Sequence, residues 1–187
     1  MGANTLTIAN GHTIDAMRFV VGDIASLSAI VTTQARQWLD TGTEKWLDVT
    51  APDNILISGR LENGAVVSSH VNAIPYAGSG YRMEIYGRDG TLVASGEDSP
   101  QLGHVFLHGA KGNNTLQPMP VPDRLTFAPV GTPDNEAMNV GQLYTQFVKA
   151  IGGSASKLPN FETAVALHRT IDAIQYASDT GSTVALR

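Results

Sequence analysis

The feature that most constrains the fold of this chain is a pair of hairpin turns between segments of alternating polarity. Asn63-Gly64 separates two alternating segments, at residues 54–61 and 65–74, and Asp89-Gly90 does the same further along. Asn-Gly and Asp-Gly favour two-residue hairpin turns, because both central positions of such a turn need a positive φ. A period of two places successive side chains on opposite faces of a strand. The pattern therefore predicts antiparallel β-structure in the middle of the chain.

Helical periodicity predicts three helices outside this region. The first runs from Asn10 to Val21, with Asn10 as its N-cap and Gly22 as its stop. Two more helices cover roughly Met138 to Ile151 and Glu162 to Ser178, and glycine follows each of them within a few residues.

The order of these elements predicts the fold class. A long strand starts at Ile24, and the tail from Thr183 to Leu186 has the pattern of a short one. A helix, a run of strands and then helices are typical of the α+β class. We expect one domain over residues 1–187, with a large antiparallel-rich open β-sheet and helices packed on one face. Residues 96–135 are rich in Gly and Pro and are predicted to form extended segments and loops at a sheet edge, because proline cannot donate to a central ladder.

One face of the predicted sheet carries small side chains of mixed polarity. Helices can cover only one side of such a sheet, so the other face meets either water or a second copy of the chain. Only 16% of the residues are charged, below the roughly 25% typical of soluble domains. We therefore expect a homo-oligomer, most simply a symmetric dimer, formed through the helix-free face. The residues concerned are Ser28, Ile30, Thr32, Ser58, Ser68, His70 and Asn72.

Composition excludes several classes of site and partner. The chain has no cysteine, which excludes disulfides and thiolate metal sites and makes a reducing cytoplasm the expected compartment. The net charge is −5 and the basic residues are scattered, which argues against nucleic acid. No apolar run approaches the ~20 residues of a membrane helix, so no membrane partner is expected. His104 and His108 are four residues apart in a stretch predicted to be extended, where they are too distant to share a metal ion.

Four stretches, in order along almost the whole chain, carry a resemblance to a known family. The stretch from Gly11 to Gly22 (GHTIDAMRFVVG) is similar to the start of the second domain of the Gfo/Idh/MocA oxidoreductases, where a His-x-x-Asp pair opens a helix. Glu62-Asn63-Gly64-Ala65 and the segment from Glu84 to Leu92 resemble later parts of that domain. The ending, from Ala166 to Gly181, resembles its last helix.

The resemblance implies a C-terminal domain like that of glyceraldehyde-3-phosphate dehydrogenase, which binds the substrate and pairs the subunits. In the family, a Rossmann domain with a glycine fingerprint and a catalytic lysine binds NAD or NADP, and the enzyme acts on a sugar or polyol hydroxyl. This sequence contains neither feature, since Gly78-Ser79-Gly80 lacks a third glycine and opens no predicted helix. We expect no Rossmann domain and no cofactor site in these residues, and no dehydrogenase activity from them alone.

His12 and Asp15 are the candidate catalytic residues. In the family, a histidine at this motif position faces the nicotinamide and helps to move a proton at the sugar carbon that is oxidised. Imidazole suits this task because it titrates near neutral pH. Asp15 follows three residues later on the same helical face, where it could orient His12. The structural alternative is a surface histidine at the start of a helix, with Asp15 paired to Arg18.

The sequence departs from the family pattern just before this histidine. Many active members carry an aspartate four residues earlier, where this chain has Ile8, and a small residue two earlier, where it has Asn10. An acid of the usual proton relay is therefore missing. Leu6-Thr7-Ile8, together with the stretch from Gly11 to Asp15 (GHTID), also resembles a subgroup that contains the fungal galactose-pathway repressor. Two functions remain open: the substrate domain of a sugar or polyol dehydrogenase, and a non-catalytic regulator or binding protein that senses a sugar or a cofactor.

Overall fold

The structure is a computed structural model that describes residues 2–73, 77–155 and 158–186. These residues form two compact units, the first joining residues 1–77 to 160–187 and the second covering 78–159. The helices are α1 (Ala9–Val21), α2 (Glu136–Ile151) and α3 (Phe161–Thr180). The strands are β1 (Ile24–Thr32), β2 (Gln37–Asp40), β3 (Lys45–Asp48), β4 (Asn54–Leu61), β5 (Val66–Asn72), β6 (Tyr81–Gly87), β7 (Gly90–Gly96), β8 (Phe106–Lys111), β9 (Gln117–Pro118) and β10 (Val184–Ala185).

An antiparallel sheet in the order β10-β1-β4-β5 forms the centre of the first unit. Its β4–β5 turn contains the predicted Asn63-Gly64 pair, with Gly64 at a φ of +88°. Helix α3 packs along β1, and α1 packs against α3 and β5. Burial of apolar side chains between these helices and one face of the sheet supplies the main stabilising free energy. The most deeply buried are Leu6, Ile14, Leu27, Ile55, Ile57, Ile171 and Ile174.

A two-stranded hairpin, β2–β3, lies between β1 and β4 in the chain, and the sequence analysis did not predict it. Each of its short strands contains a Trp-Leu pair, and two adjacent apolar residues hide the period of two. Its base is closed by the buried carboxylate of Asp53, which accepts hydrogen bonds at 2.8 Å from the backbone N–H groups of Gln34 and Ala35.

The second unit is built on an antiparallel sheet in the order β6-β7-β8-β9. The predicted hairpin is present, but its two-residue turn is Arg88-Asp89, one residue earlier than expected, with Gly87 opposite Gly90. A Cβ atom on Gly90 would lie 2.1 Å from the backbone oxygen of Ala110. Glycine is therefore required there by the close approach of β8 and not by the turn.

The Gly- and Pro-rich region from 96 to 135 contains more regular structure than predicted. It includes β8, β9 and a single 3-10 turn at Asp123–Leu125. Pro118 lies in β9, the edge strand of its sheet, which agrees with the expected place for proline. Helix α2 of the same unit has no buried residue, and an apolar stripe along it is exposed. The stripe consists of Val140, Tyr144, Phe147, Val148 and Ile151.

The prediction that Asn10 is the N-cap of the first helix is wrong. Helix α1 begins one residue earlier, and Asn10 is fully buried inside it. The Nδ2 of Asn10 donates to the backbone oxygen of Leu6 at 3.3 Å, so this side chain bonds to the preceding turn and leaves the helix N-terminus uncapped.

The two later helices start earlier than predicted because asparagines cap them. The side chain of Asn135 accepts a hydrogen bond from the backbone N–H of Ala137, and Asn160 forms a capping box with Thr163. Gly181, in the left-handed region at a φ of +64°, ends α3, and the tail then forms β10 as expected.

The α+β class with antiparallel sheets and three helices is confirmed for the described residues. These strands pair within three sheets, of four, two and four strands, where one large sheet was expected. The strand predicted to reach Ile74 ends at Asn72, and Ile74 lies outside the described residues. The expectation of one domain over residues 1–187 stays a prediction.

Candidate functional site

A compact turn in front of α1 fixes the start of the helix that carries His12. The backbone N–H of Thr7 donates to Oδ1 of Asn4, and the backbone N–H of Asn4 donates to Oγ1 of Thr7, both at 3.1 Å. This reciprocal pair acts as a capping box one turn before α1. A wider turn follows, in which the backbone N–H of Asn10 donates to the backbone oxygen of Thr5 at 2.9 Å. The chain therefore already turns helically, although irregularly, between Asn4 and Asn10. This accounts for the absence of a side-chain cap at the N-terminus of α1.

His12 lies in the first turn of α1 with an exposed side chain. Neighbouring positions on the other side of the helix are buried, among them Gly11 and Ile14. A Cβ atom on Gly11 would lie 3.5 Å from Cδ1 of Ile171, so glycine allows α1 to pack closely on α3. The helix is thus anchored by one side and presents the imidazole of His12 on the other, where a ligand can reach it.

Ile8 lies beside His12 on the same surface. The backbone N–H of His12 donates to the backbone oxygen of Ile8 at 2.9 Å, which is the hydrogen bond of one helical turn. Side chains four residues apart on a helix are neighbours. The Ile8 side chain is 50% exposed, so an apolar group stands next to the imidazole at the position where an acid was expected from the family pattern.

Asp15 is half-buried, and among the described residues no hydrogen bond or ion pair joins it to His12. It does not pair with Arg18 either. The Nε of Arg18 donates to Oδ1 of Asp23 at 2.6 Å, across the end of α1 at Gly22. The structure therefore places His12 and Asp15 on one helix without a hydrogen bond or ion pair between them. The Arg18–Asp23 pair was not predicted from the sequence. The sequence feature that could have indicated this ion pair is the opposite charge of Arg18 and Asp23 on the two sides of Gly22, the glycine that ends α1.

The predicted helix-free face exists in the first unit. The register aligns Ser28, Ser58 and Ser68 across β1, β4 and β5, and the neighbouring row is Ile30, Leu56 and His70. We call this surface the open face; its residues are Ser26, Ser28, Ile30, Thr32, Asn54, Leu56, Ser58, Arg60, Val66, Ser68, His70 and Asn72.

The open face is weakly polar and shallow. It contains no carboxylate, and Arg60 is its one permanently charged group. Nε2 of His70 lies 2.7 Å from Oδ1 of Asn54, and Oγ of Ser28 lies 2.7 Å from Oγ1 of Thr183. Ile30 and Leu56 are exposed on it, so apolar patches alternate with small hydroxyl groups. Sequence reasoning found seven of these twelve residues, because the period of two assigns faces directly. It did not include Ser26, Asn54, Leu56, Arg60 and Val66.

The second unit carries an exposed polar cluster on β6. Nε of Arg82 donates to a carboxylate oxygen of Glu84 at 2.6 Å, and the hydroxyl of Tyr86 donates to the other oxygen. The Tyr86 and Arg82 hydrogen bonds lower the pKa of Glu84, and the Glu84 carboxylate raises the pKa of Tyr86. Sequence analysis did not single out this cluster, although its three members alternate along one strand face.

The remaining histidines do not form a metal site within the described residues. Nδ1 of His104 lies 3.3 Å from Asp134, whereas His108 is in β8. His168 is exposed on α3, as expected. Gly78-Ser79-Gly80 leads into strand β6, which agrees with the expectation that it opens no helix.

The chain matches a known protein family over almost its whole length. The model of the oxidoreductase family, C-terminal alpha/beta domain, of the Gfo/Idh/MocA group matches residues 3–186. The chain belongs to the Gfo/Idh/MocA family. The match runs through both compact units, and the sequence resemblance is confirmed.

Relatives of this Gfo/Idh/MocA domain are longer proteins. The chain is 27% identical over 167 residues to an uncharacterized oxidoreductase of Synechocystis sp. (sll0816), which covers 88% of this chain and 44% of the relative. The chain therefore spans less than half the length of the curated relative that it matches.

Solved structures share the fold. Gal80p of Saccharomyces cerevisiae, as a super-repressor mutant, has a TM-score of 0.82 at 18% identity, over 98% of this chain and 50% of that one. Levoglucosan dehydrogenase, in complex with NADH and L-sorbose, has a TM-score of 0.76 at 22% identity, over 100% of this chain and 51% of that one. At these identities the similarity concerns the fold. In the part of this Gfo/Idh/MocA domain that the structure describes, no helix is long and apolar enough to cross a membrane.

Proposed function

We propose that this chain is the substrate-binding and subunit-pairing domain of an NAD(P)-dependent oxidoreductase that acts on a sugar or polyol hydroxyl. The observation that carries the proposal is the placement of His12: exposed in the first turn of α1, on a helix fixed to α3 through Gly11 and Ile14. An anchored, accessible imidazole can exchange a proton with a hydroxyl group on a bound substrate. The similarity in fold to a dehydrogenase solved with NADH and L-sorbose supports this class of ligand.

In this proposal the chain's own residues bind and orient the sugar, and His12 holds or accepts the hydroxyl proton at the carbon that is oxidised. Asp15 lies three residues after His12 and adds negative charge to the same helix without a hydrogen bond to the imidazole. When bound, NAD or NADP would supply the hydride chemistry, from a dinucleotide-binding domain distinct from these residues. Gly78-Ser79-Gly80 does not suit a pyrophosphate, because it opens strand β6 and offers no helix N-terminus.

Sugar binding is tested on the chain itself by nuclear magnetic resonance. A panel of aldoses and polyols is titrated into labelled protein while the imidazole signals are followed. We expect the His12 signals to move with saturating behaviour, while those of His168, exposed on α3, stay in place. A panel that moves neither signal, or both equally, contradicts the proposed site. Calorimetry with NAD(H) and NADP(H) should give no binding, and micromolar affinity would contradict the assignment of the cofactor to another domain.

A second candidate function is a non-catalytic regulator on the same fold. Ile8 favours it, because an exposed apolar side chain lies beside His12 where active members carry an acid. The similarity in fold to Gal80p is consistent with this alternative. A fusion of this chain to the dinucleotide-binding half of a relative separates the two functions. Turnover with any sugar or polyol supports the enzyme, whereas sugar binding without turnover supports the regulator.

Subunit pairing through the open face is the other part of the proposal. Rows of small side chains allow two sheets to pack face to face, and a stable pair needs about 800 Å² from each partner. Ser58 lies in the central strand of this face. We expect Ser58→Arg to dissociate the dimer, because a two-fold axis brings two new cations together with Arg60, and light scattering measures the change. A dimer that survives this substitution contradicts pairing through the open face.

A further inference from the structure

The β2–β3 hairpin is an apolar element without a covering layer. Its register pairs Trp38 with Leu47 and Leu39 with Trp46, so each face of the hairpin carries one tryptophan and one leucine. Trp38 is 50% exposed and Trp46 is 66% exposed. Beyond their mutual pairing, neither strand makes an extensive contact with another element of the described chain.

A hairpin with exposed apolar side chains on both faces is expected to bind another surface. A two-stranded hairpin alone is marginally stable in water, and exposed clusters of large apolar side chains mark interaction sites. Tryptophan is enriched where binding energy is concentrated. The four apolar side chains of this hairpin are therefore better explained by contact with another surface than by exposure to solvent.

The hairpin is held firmly at both ends. At its base, the Asp53 carboxylate binds the backbone of Gln34 and Ala35. At its tip, Asp40 accepts hydrogen bonds from the N–H of Gly42 at 2.9 Å and from the hydroxyl of Thr43 at 2.6 Å. The segment between Thr32 and Asn54 can reach on the order of 30 Å from the end of the β1–β4 ladder. It is a defined arm and not a loose loop.

The open face has the complementary chemistry. The arm of residues 36–49 carries the carboxylates of Asp40, Glu44 and Asp48 against the cations Lys45 and, at its base, Arg36. The open face has no carboxylate; its permanent charge is the cation Arg60. Both surfaces expose apolar side chains, which on the open face are Ile30, Leu56 and Val66.

We propose that the β2–β3 hairpin of one copy of this chain packs against the margin of the open face of a second copy, beside the area where the two open faces meet, and that the exchange is reciprocal in a symmetric pair. This inference rests on the proposed function, since it assumes that the chains pair. Trp38 and Trp46 lie on opposite faces of the hairpin, so one of them meets the partner. Its ring can bury about 150–250 Å², a substantial share of the roughly 800 Å² that each partner of a stable dimer contributes. The arm therefore supplies a large part of the interface.

Intrinsic fluorescence tests the arm directly, because Trp38 and Trp46 are the only two tryptophans of the chain. Dimer and monomer are followed by light scattering during dilution, and the emission of the same samples is recorded. We expect the emission maximum to move to longer wavelength, and quenching by acrylamide to increase, as the dimer dissociates. A dimer whose emission and quenching equal those of the monomer overturns the inference and leaves pairing itself intact.

Substitutions in the arm test whether it contributes to the stability of the dimer. Trp38→Ser with Trp46→Ser should raise the dissociation constant of the dimer at least about 10-fold. The control is Phe161→Ser, whose ring is 92% exposed on α3 and should leave the constant unchanged. Circular dichroism verifies that each variant is folded. Replacing residues 36–49 by a short Gly-rich loop gives the same test without reliance on the two tryptophans.

The Ser58→Arg variant distinguishes failure of the pairing proposal from failure of the arm proposal. We expect it to dissociate the pair and to shift the tryptophan emission and the acrylamide quenching to the values of the monomer. If the wild-type chain is monomeric at every concentration, the pairing proposal and the arm both fail. If Ser58→Arg leaves an intact dimer with buried tryptophans, the arm binds elsewhere on the partner and the inference is wrong.

Discussion

At the residue scale, the environment of His12 is set by one neighbour. Ile8 lies one helical turn before it and shares a backbone hydrogen bond with it. Among the described residues no hydrogen bond or ion pair involves the imidazole. Asp15 lies three residues later and is not hydrogen-bonded to it, so an aspartate at position 8 would place a second carboxylate beside the imidazole, on the side of the helix N-terminus.

This arrangement gives a prediction for the fusion enzyme. His12→Asn should lower kcat by about 10²- to 10⁴-fold if the imidazole is a general acid or base, with a smaller effect on KM. The partner variant is Ile8→Asp, which should raise kcat by placing a carboxylate next to the imidazole. Steady-state kinetics with the best sugar of the panel measures both. Unchanged turnover in the asparagine variant would assign His12 a structural role.

The Arg82–Glu84–Tyr86 cluster gives a pH prediction. The pKa of Glu84 is lowered in the folded state by Tyr86 and Arg82, so the cluster stabilises the fold above the unfolded pKa of Glu84, and this contribution is lost as pH falls through the folded value. The pKa of Tyr86 is raised by Glu84, so its contribution is present below the unfolded pKa and is lost as pH rises through the folded one. Urea unfolding at several pH values should show Glu84→Gln flattening both limbs, whereas Tyr86→Phe should flatten the alkaline limb and reduce the acid limb, which keeps the Arg82 hydrogen bond. Two unaltered profiles would show that the cluster does not contribute to stability.

At the scale of elements, close backbone approach decides where glycine is required. Gly59 in β4 lies opposite Leu27, beside the register shift between Ile24 and Ser26 of β1. A Cβ atom there would lie 2.5 Å from the backbone oxygen of Ser26. A backbone atom cannot rotate away as a side chain can, so the two central strands would have to separate.

We therefore predict that Gly59→Ala destabilises the fold by about 1–3 kcal/mol, the usual cost of overpacking a fitted interior. The matched control is Gly42→Ala in the β2–β3 turn, where the added atom would meet only Oδ1 of Asp40, at 3.4 Å. That change should be neutral or stabilising by up to about 1 kcal/mol, because alanine restricts the unfolded chain. Denaturant unfolding measures both, and equal effects would exclude the backbone contact as the cause.

At the scale of the whole molecule, the apolar core is unevenly distributed. Among the described residues, Val93 is the one buried hydrophobic side chain of the second unit, and all the others lie in the first. Helix α3 alone contributes Ile171, Ala173, Ile174 and Ala177. Since buried apolar contact is the main source of local stability, the two units should open with different free energies.

Hydrogen exchange should show this asymmetry. We expect the amides of β1, β4 and α3 to exchange by global unfolding, and those of α2 to exchange far faster through local opening. Ile174→Ala should then cost about 2–5 kcal/mol of global stability and accelerate the first group of amides. Val93→Ala should accelerate exchange in the second unit and leave the first unaffected. Uniform protection along the chain would contradict the asymmetry.

The sequence predicted what local periodicity encodes and missed what depends on distant contacts. The faces of β1, β4 and β5 were correct, because alternation assigns each side chain before the strands are paired. Asn10 was assigned wrongly, since its type suits a cap and only packing against α3 explains its burial. The clasp at Asp53 could not be predicted either, as it joins a carboxylate to backbone groups 18 and 19 residues away.

The closed base of the hairpin also has an evolutionary consequence. The β1–β4 ladder ends at the Thr32–Asn54 pair, and the Asp53 carboxylate seals the chain just beyond it. Everything between these points is a self-contained insertion, whose length can change in steps of two residues without shifting the register of the sheet. Gene duplication and drift can therefore lengthen, shorten or delete this segment while the β1–β4–β5 ladder is retained. Among descendants of one ancestral domain, we expect the segment between Thr32 and Asn54 to be where lineages diverge in length first.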